Sequence, residues 1–439
     1  MSQLLNKLSH FNYATNIVSY LARLATSTYH PVVLEACAGL SQLFKEDIVF
    51  RMSLHAVKTI AALVNQKSCY VTPNLFETFL SLKIKEVDKE DRDKEKHHLK
   101  VRRSQILKER KSKSAKKFQH QVQQLEHDLK KIQAAESLAT KKKYATETMK
   151  HVFATYFRVM KRMPTTKLLE PVLAGLSKFA HLINIEFFDD LILCLEEIVE
   201  MQHLRVTDSL HCIKTIFIIL SGEGQAINID PFRFYKSMYS LLPSIPFQKD
   251  PILQQQEVEI IVECIDIMLN KRKKQVSIGR VAAFVKRLLA ISFLLTTKQC
   301  VAIVACVRSI FLHHQRLKSL IEDDSDAVTN GIFRPDVLDP DTCNALSSSA
   351  LPEFNKLIKY PDRVVQIFAD NILSGLPSTG EKRLPAEWMT IIPKDWLYSE
   401  IVKHDRPTPF FESITKAAKK KKLSLTSKNL CSTVNDWLS

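Results

Sequence analysis

Apolar residues recur at three-and-four spacing along most of the chain, the period of one helix face. The stretch from Tyr144 to Gly224 shows it best, with four stripes in a row. Met149, Val152, Phe153, Tyr156 and Met160 mark the first, and Leu169, Val172, Leu173, Leu176, Ala180 and Ile183 the second. Phe188, Leu191, Ile192, Leu195, Ile198 and Val199 mark the third, and Val206, Leu210, Ile213, Phe217 and Leu220 the fourth. Short breaks at Pro164-Thr165, Asn184 and Gln202-His203 require consecutive helices to fold back as hairpins.

The same spacing continues on either side. Residues 1–83 read as helical hairpins, with stripes such as Val33, Leu34, Ala36, Cys37, Leu40 and Leu43, then Phe50, Leu54, Val57, Ile60 and Val64. Residues 144–325 form the central and C-terminal repeats, where Val258 to Leu269, Val281 to Ile291 and Cys300 to Phe311 give further helices. Residues 326–375 read as an acidic loop and a last helical pair, and 376–439 as an irregular, partly disordered tail punctuated by prolines. The expected fold is all-α, built from HEAT- or armadillo-like stacked hairpins (an α-solenoid) with a long charged helical arm.

That arm is residues 84–143, where charged residues dominate and neither glycine nor proline occurs. Lys100, Arg102, Arg103, Lys108, Arg110, Lys111, Lys113, Lys116 and Lys117 make one part strongly basic. Lysine and arginine neutralise phosphates with little sequence preference, so these nine are the candidate RNA-binding residues. A solvated helix face or a nuclear import signal would use the same residues. Aromatics are nearly absent there, so backbone or duplex contact fits better than base stacking. Phe118, Val122, Leu125, Leu129 and Ile132 then follow at coiled-coil spacing. Two heptads are too few for a free-standing coiled coil, so this stripe is a candidate seam for a helix of a partner or of this chain.

Composition supports helices. The chain of 439 residues has only 8 glycines, where average usage of about 7% would give roughly thirty. Sheets and phosphate-binding loops both need glycine at their turns. The net charge of +16 favours polyanions or acidic partner surfaces. The nine cysteines are scattered singly, without the C-x-x-C spacing of a zinc or redox site, and read as buried thiols of a reducing compartment. The chain opens without a signal peptide, and its apolar runs fall well short of the ~20 residues that span a membrane. An intracellular, soluble protein is expected.

No constellation of catalytic type emerges. His97-His98 and His313-His314 are adjacent pairs whose side chains diverge on a helix, so solvated histidines are expected rather than a metal site. Gly222-Glu223-Gly224 lacks the third glycine and the Lys-Ser/Thr of a nucleotide loop, and reads as a helix stop. Asp189-Asp190 and Glu196-Glu197 read as the solvent face of one helix, and Lys271–Lys274 and Lys419–Lys422 as helix-end charge or import signals. No catalytic residue, metal or cofactor is expected.

Several ordered strings resemble the nucleolar complex protein 3 family. They are Leu8-Ser9-His10-Phe11-Asn12-Tyr13, Phe44-Lys45-Glu46-Asp47, Leu168-Leu169-Glu170-Pro171-Val172-Leu173 and Lys178-Phe179-Ala180-His181-Leu182-Ile183-Asn184. Gly222-Glu223-Gly224-Gln225-Ala226 with Asn228-Ile229-Asp230-Pro231 resembles the family too. Asp339-Pro340 with Asn344-Ala345 resembles its CCAAT-binding-factor-type segment. The resemblance runs from residue 1 to about 375. The family's long charged N-terminal extension is missing, so a short or truncated form is expected. Lys359-Tyr360-Pro361 stands where the family has a His-Tyr-His-Pro string. The resemblance implies a non-enzymatic nucleolar scaffold for large (60S) ribosomal subunit assembly. Its implied partners are nucleolar complex protein 2, pre-60S assembly factors and pre-rRNA, with no membrane. A chromatin-bound role in replication licensing beside origin-recognition proteins is also described for the family. A HEAT-type transport adaptor is the alternative that needs no resemblance.

Overall fold

The structure is a computed structural model that describes residues 13–84, 139–162, 167–183, 187–201, 204–222, 230–321, 332–347, 351–402 and 405. Helices and short 3-10 or π turns carry the fold, and no strand occurs among the described residues. The all-α expectation holds. Helix lengths run from 5 to 24 residues, so no constant repeat length emerges from them. The chain divides into two compact units, Met1–Leu182 and Ile183–Ser439. The four stripes between Tyr144 and Gly224 are thus shared between units, two in each.

In the first unit, α1 (Ala14–Leu24), α2 (His30–Glu46) and α3 (Arg51–Gln66) form a three-helix layer. Val18, Leu21, Val33, Leu40, Phe44, Val57, Ile60 and Val64 bury its inner faces. Asp47 governs the entry into α3. Its carboxylate accepts from the Phe50 and Ser53 backbone N–H groups at 3.0 and 2.7 Å and from the Ser53 hydroxyl at 3.0 Å. These bonds hold Phe50 at φ 62°, a left-handed conformation that costs an L-residue about 1 kcal/mol. The string Phe44-Lys45-Glu46-Asp47 is therefore a core residue followed by a helix cap.

A short helix α4 (Pro73–Glu77) continues as a 3-10 turn, Thr78–Ser81. Residues 139–162 form α5, and Leu169–Lys178 form α6. An aromatic cluster joins them. Phe79 lies 6.2 Å from Phe44, 6.1 Å from Phe76 and 6.0 Å from Tyr156, ring centre to ring centre. Gly175 on α6 is where the Tyr156 ring passes, because a Cβ there would overlap the ring and its hydroxyl.

The second unit starts with α7 (Phe188–Val199) and α8 (Val206–Ser221), which pack together. Gly222 ends α8, its N–H reaching the carbonyls of Ile218 and Ile219. The first glycine of Gly222-Glu223-Gly224 is thus a helix stop, while Glu223 and Gly224 lie outside the described residues. Next come α9 (Phe232–Leu241) with a 3-10 turn Leu242–Phe247, and α10 (Pro251–Ile265). Asp250 caps α10 by accepting from Ile252 N at 2.9 Å, with Pro251 pre-set for the first turn.

Helix α10 runs into a π turn, Asp266–Lys271. A π turn widens the backbone and leaves carbonyls short of partners. Here side chains supply them: the Tyr235 hydroxyl donates to Met268 O at 3.1 Å, and His314 Nε2 to Leu269 O at 2.9 Å. His314 is therefore a buried structural donor and not a solvated residue as its sequence position suggests. His313 is exposed.

Helices α11 (Ile278–Ser292) and α12 (Thr297–His313) pack together at the centre of this unit. Every residue of α11 from Arg280 to Ser292 is buried. Helices α13 (Pro352–Leu357) and α14 (Arg363–Leu373) follow, and α14 packs on α12. Residues 376–402 then lie on the scaffold. A short helix α15 (Ala386–Thr390) and a 3-10 turn Pro393–Tyr398 bring Trp388 parallel to Phe368 at 6.0 Å and Trp396 edge-on to Phe368 at 5.3 Å. Lys394 bonds Glu263 at 2.6 Å, and the Tyr398 hydroxyl donates to Glu259 at 2.6 Å, which fastens this segment to α10.

Two substitutions test the aromatic cluster of the first unit. Gly175→Ala forces the packed Tyr156 ring to move and should cost about 1–3 kcal/mol. The buried Tyr156 hydroxyl has no hydrogen-bond partner, so Tyr156→Phe should be neutral or stabilising. Urea midpoints of the two variants read both effects, and a Tyr156→Phe variant as damaged as Gly175→Ala would contradict this packing.

Candidate functional site

The nine basic candidates Lys100, Arg102, Arg103, Lys108, Arg110, Lys111, Lys113, Lys116 and Lys117 lie outside the described residues. So do the stripe Phe118, Val122, Leu125, Leu129 and Ile132, the pair His97-His98, and Lys419–Lys422. The described residues offer instead a buried cationic clamp and two contrasting surfaces.

The clamp stands on α11, where spacing places Arg280, Lys286 and Arg287 among buried neighbours. Arg280 donates to Asp230 at 3.0 and 3.2 Å and to Asp341 at 3.0 and 2.7 Å. Its guanidinium also lies 4.4 Å from the Tyr235 ring centre. The two carboxylates raise the Arg280 pKa further against the opposing effect of burial. Arg287 donates to the carbonyls of Tyr239 at 2.8 Å, Pro335 at 2.7 Å and Val337 at 3.0 Å. Its guanidinium rests 3.5 Å from the Tyr239 ring centre. Lys286 lies 4.8 Å from the Phe333 ring centre.

Together these side chains tie an irregular stretch, residues 332–347, to the helical core. A buried cation is expensive unless fully bonded, and the loop carbonyls and Asp341 provide the bonds. Within the loop, Arg334 N donates to Cys343 O at 2.9 Å, and Asn344 takes φ 56°. Glu353 on α13 is buried near Lys286. Burial pushes the Glu353 carboxyl up and the Lys286 amine down, so each disfavours its charged form. Helical spacing alone does not single out Arg280, Lys286 or Arg287; the surrounding apolar run Val281 to Ile291 is the signal that could have found them.

The first surface is α7. Phe187, Asp190, Leu193, Glu197 and Met201 are exposed and follow one another at helical spacing. Arg233 pairs with Glu200 at 3.2 Å and Glu196 at 3.7 Å. Asp189, Asp190 and Glu197 lie on its outer face, where apolar side chains suited to a protein partner alternate with them, while Glu196 is largely covered. The second surface is the basic knuckle after the π turn. Lys271, Lys273 and Lys274 are exposed there, whereas Arg272 turns inward and donates to Leu220 O at 3.0 Å. The four-residue run is therefore three surface charges and one structural arginine.

The thiols are set for packing. Cys37, Cys69, Cys212, Cys264, Cys300, Cys306 and Cys343 are buried, and Cys194 is half-buried. Burial pushes the Cys37 thiol up to about 11 and that of Cys300 up to about 12, away from the thiolate form that reacts. No group of three or more metal-ligating side chains converges among the described residues, and no described helix is long and apolar enough to cross a membrane.

Residues 209–369 match the model of the CBF/Mak21 family. The chain is similar to the nucleolar complex protein 3 homolog of Caenorhabditis briggsae, at 42% identity over 98% of this chain and 56% of the relative. The human nucleolar complex protein 3 homolog is 37% identical over 88% of this chain and 48% of its own length. The Schizosaccharomyces pombe nucleolar complex-associated protein 3 is 24% identical over 83% of this chain and 53% of its own length. The chain thus spans about half the length of the curated relatives it matches.

Two measurements check the clamp and the thiols. Asp230 and Asp341 are partly exposed, so Arg280→Ala should cost less than a fully buried pair, about 2 kcal/mol, with faster hydrogen exchange across 334–343. In the native protein, a thiol reagent followed by peptide mapping should modify Cys194 before Cys212, Cys264, Cys300 or Cys306; the reverse order would refute the burial described.

Proposed function

We propose that this chain, a homologue of the nucleolar complex protein 3 proteins that carries a CBF/Mak21 segment, is a non-enzymatic scaffold of large ribosomal subunit assembly in the nucleolus. The observation that carries the reading is 42% identity sustained over 98% of the chain. Identity sustained over so long a stretch supports a shared scaffold more than one short motif would. The ionisable groups at the centre of the second unit support it, since Arg280, Arg287 and Glu353 are committed to packing.

In this proposal the work is holding. Protein faces such as the acidic and apolar side of α7 meet nucleolar complex protein 2 or pre-60S assembly factors. The basic arm, Lys100 to Lys117, holds pre-rRNA through its phosphates. Each contact is modest alone, and linking them in one chain raises the combined affinity.

Sedimentation of the tagged chain tests this. It should co-sediment with large-subunit precursors, and ribonuclease should release it. Charge reversal at Arg102, Arg103, Arg110 and Lys111 should weaken particle association most at low salt and flatten its salt dependence. Retention on chromatin with origin-recognition proteins and without precursor RNA would favour the replication reading instead.

A further inference from the structure

Two neighbouring helices of the first unit, α1 and α3, carry no carboxylate of their own. Residues 13–34 and 48–76 contain neither aspartate nor glutamate, although the chain holds 47 of them. These two stretches supply α1 and α3, which pack side by side. Ser19 on α1 and His55 on α3 share a hydrogen bond of 3.0 Å, which places their outer stripes next to each other. At the C-terminal ends, Lys67 Nζ donates to Thr26 O at 2.9 Å and the Thr72 hydroxyl to Ala25 O at 3.3 Å.

The outer stripes carry Arg23, Arg51, Lys58 and Lys67, all exposed. Lys58 meets Glu147 of α5 at 3.2 Å. Asp47, at the start of α3, spends its carboxylate on capping. The same two stretches carry exposed tyrosines. Tyr20 is 49% exposed, Tyr29 72% and Tyr70 75%. Tyr29 and Tyr70 flank the same turn, 25–28, to which Lys67 and Thr72 are bonded. The backbone presents Tyr70 deliberately: Ser68 and Cys69 take φ 50° and 69°, with Cys69 fully buried and its N–H bonded to Val64 O at 2.8 Å. Two successive left-handed residues without glycine turn the chain so that the cysteine goes in and the tyrosine out.

We propose that this α1–α3 face binds an unpaired RNA strand, with Tyr29 and Tyr70 stacking on bases and Arg23, Arg51 and Lys67 meeting phosphates. The cations and the missing carboxylates match a polyanion. The exposed tyrosines select an unpaired strand, because a duplex keeps its base faces closed. That the strand is RNA rests on the proposed assembly role. The chemistry differs from that of the basic arm, which lacks aromatics, so the two contacts separate by experiment.

Anisotropy of a labelled twelve-nucleotide oligouridine with the full chain is the test. Tyr29→Ala with Tyr70→Ala should weaken binding about tenfold or more, by the usual worth of base–aromatic stacking. Tyr29→Phe with Tyr70→Phe should restore it, and affinity for an RNA duplex should change less than twofold in either variant. Arg23→Glu should weaken oligouridine binding and steepen nothing in thermal melting, since Arg23 is exposed. Ultraviolet crosslinks should fall on the peptides holding Tyr29 and Tyr70. Oligouridine affinity within twofold of the parent in the folded double alanine variant overturns the inference, as does displacement of the RNA by a polyglutamate peptide at equal charge with the tyrosines irrelevant to both. Failure of the arm variant to leave the particle would count against the assembly role and would not alter the oligonucleotide result.

Discussion

Helix α11 is enclosed on every side, and three of its buried side chains are cationic. An unpaired charge at such a site is not tolerated, so the surrounding chain must bring acceptors to it. Asp230 before α9, the end of α9 at Tyr239 and the loop carbonyls at Pro335 and Val337 all converge on Arg280 and Arg287. The requirement explains why an irregular stretch lies against a helical core. It also explains how elements some fifty residues apart are held in register, since each guanidinium fork bonds at least two of them.

The strings that resemble known relatives take on physical meaning in this light. Asp230 and Asp341 are the two carboxylates of Arg280, and Asp339 accepts from Asp341 N at 2.9 Å. Asp47 caps a helix and supports a left-handed Phe50. Lys178 sits over the Phe179 ring at 5.3 Å and donates to Leu80 O. These residues shape the scaffold.

Much of the helical organisation was legible because a half-buried helix writes its period in the sequence. Leu169, Val172, Leu173 and Leu176 are buried as their spacing implies, and so are Phe188, Leu191, Leu195 and Ile198. Where a helix is buried all round the period fades, and polar residue types mislead: Arg280, Lys286 and Arg287 look like surface and are core. Local pattern also fails at long range. Nothing near His314 announces that the Leu269 carbonyl, 45 residues away, needs a donor. Trp388 and Trp396 sit in a proline-punctuated stretch without helical spacing, yet they pack on Phe368 because bulk apolar rings seek burial whatever the backbone. Of the site, the basic arm and its apolar stripe fall outside the described residues, while the tyrosine-bearing face was hidden in stripes read only for their apolar side. Leu34, beside the buried Val33, shows the same limit: it falls on the outer side of a helix that is buried along one face.

The π turn at Asp266–Lys271 closes α10 and sets the angle at which the chain leaves that helix. One residue beyond the ordinary repeat shifts the point of exit by about 100° around the axis. That rotation sends Arg272 inward to Leu220 and leaves its lysine neighbours in water. Removing a single residue there would interchange the roles: a lysine would arrive opposite the Leu220 carbonyl, and the arginine would be spilled into solvent.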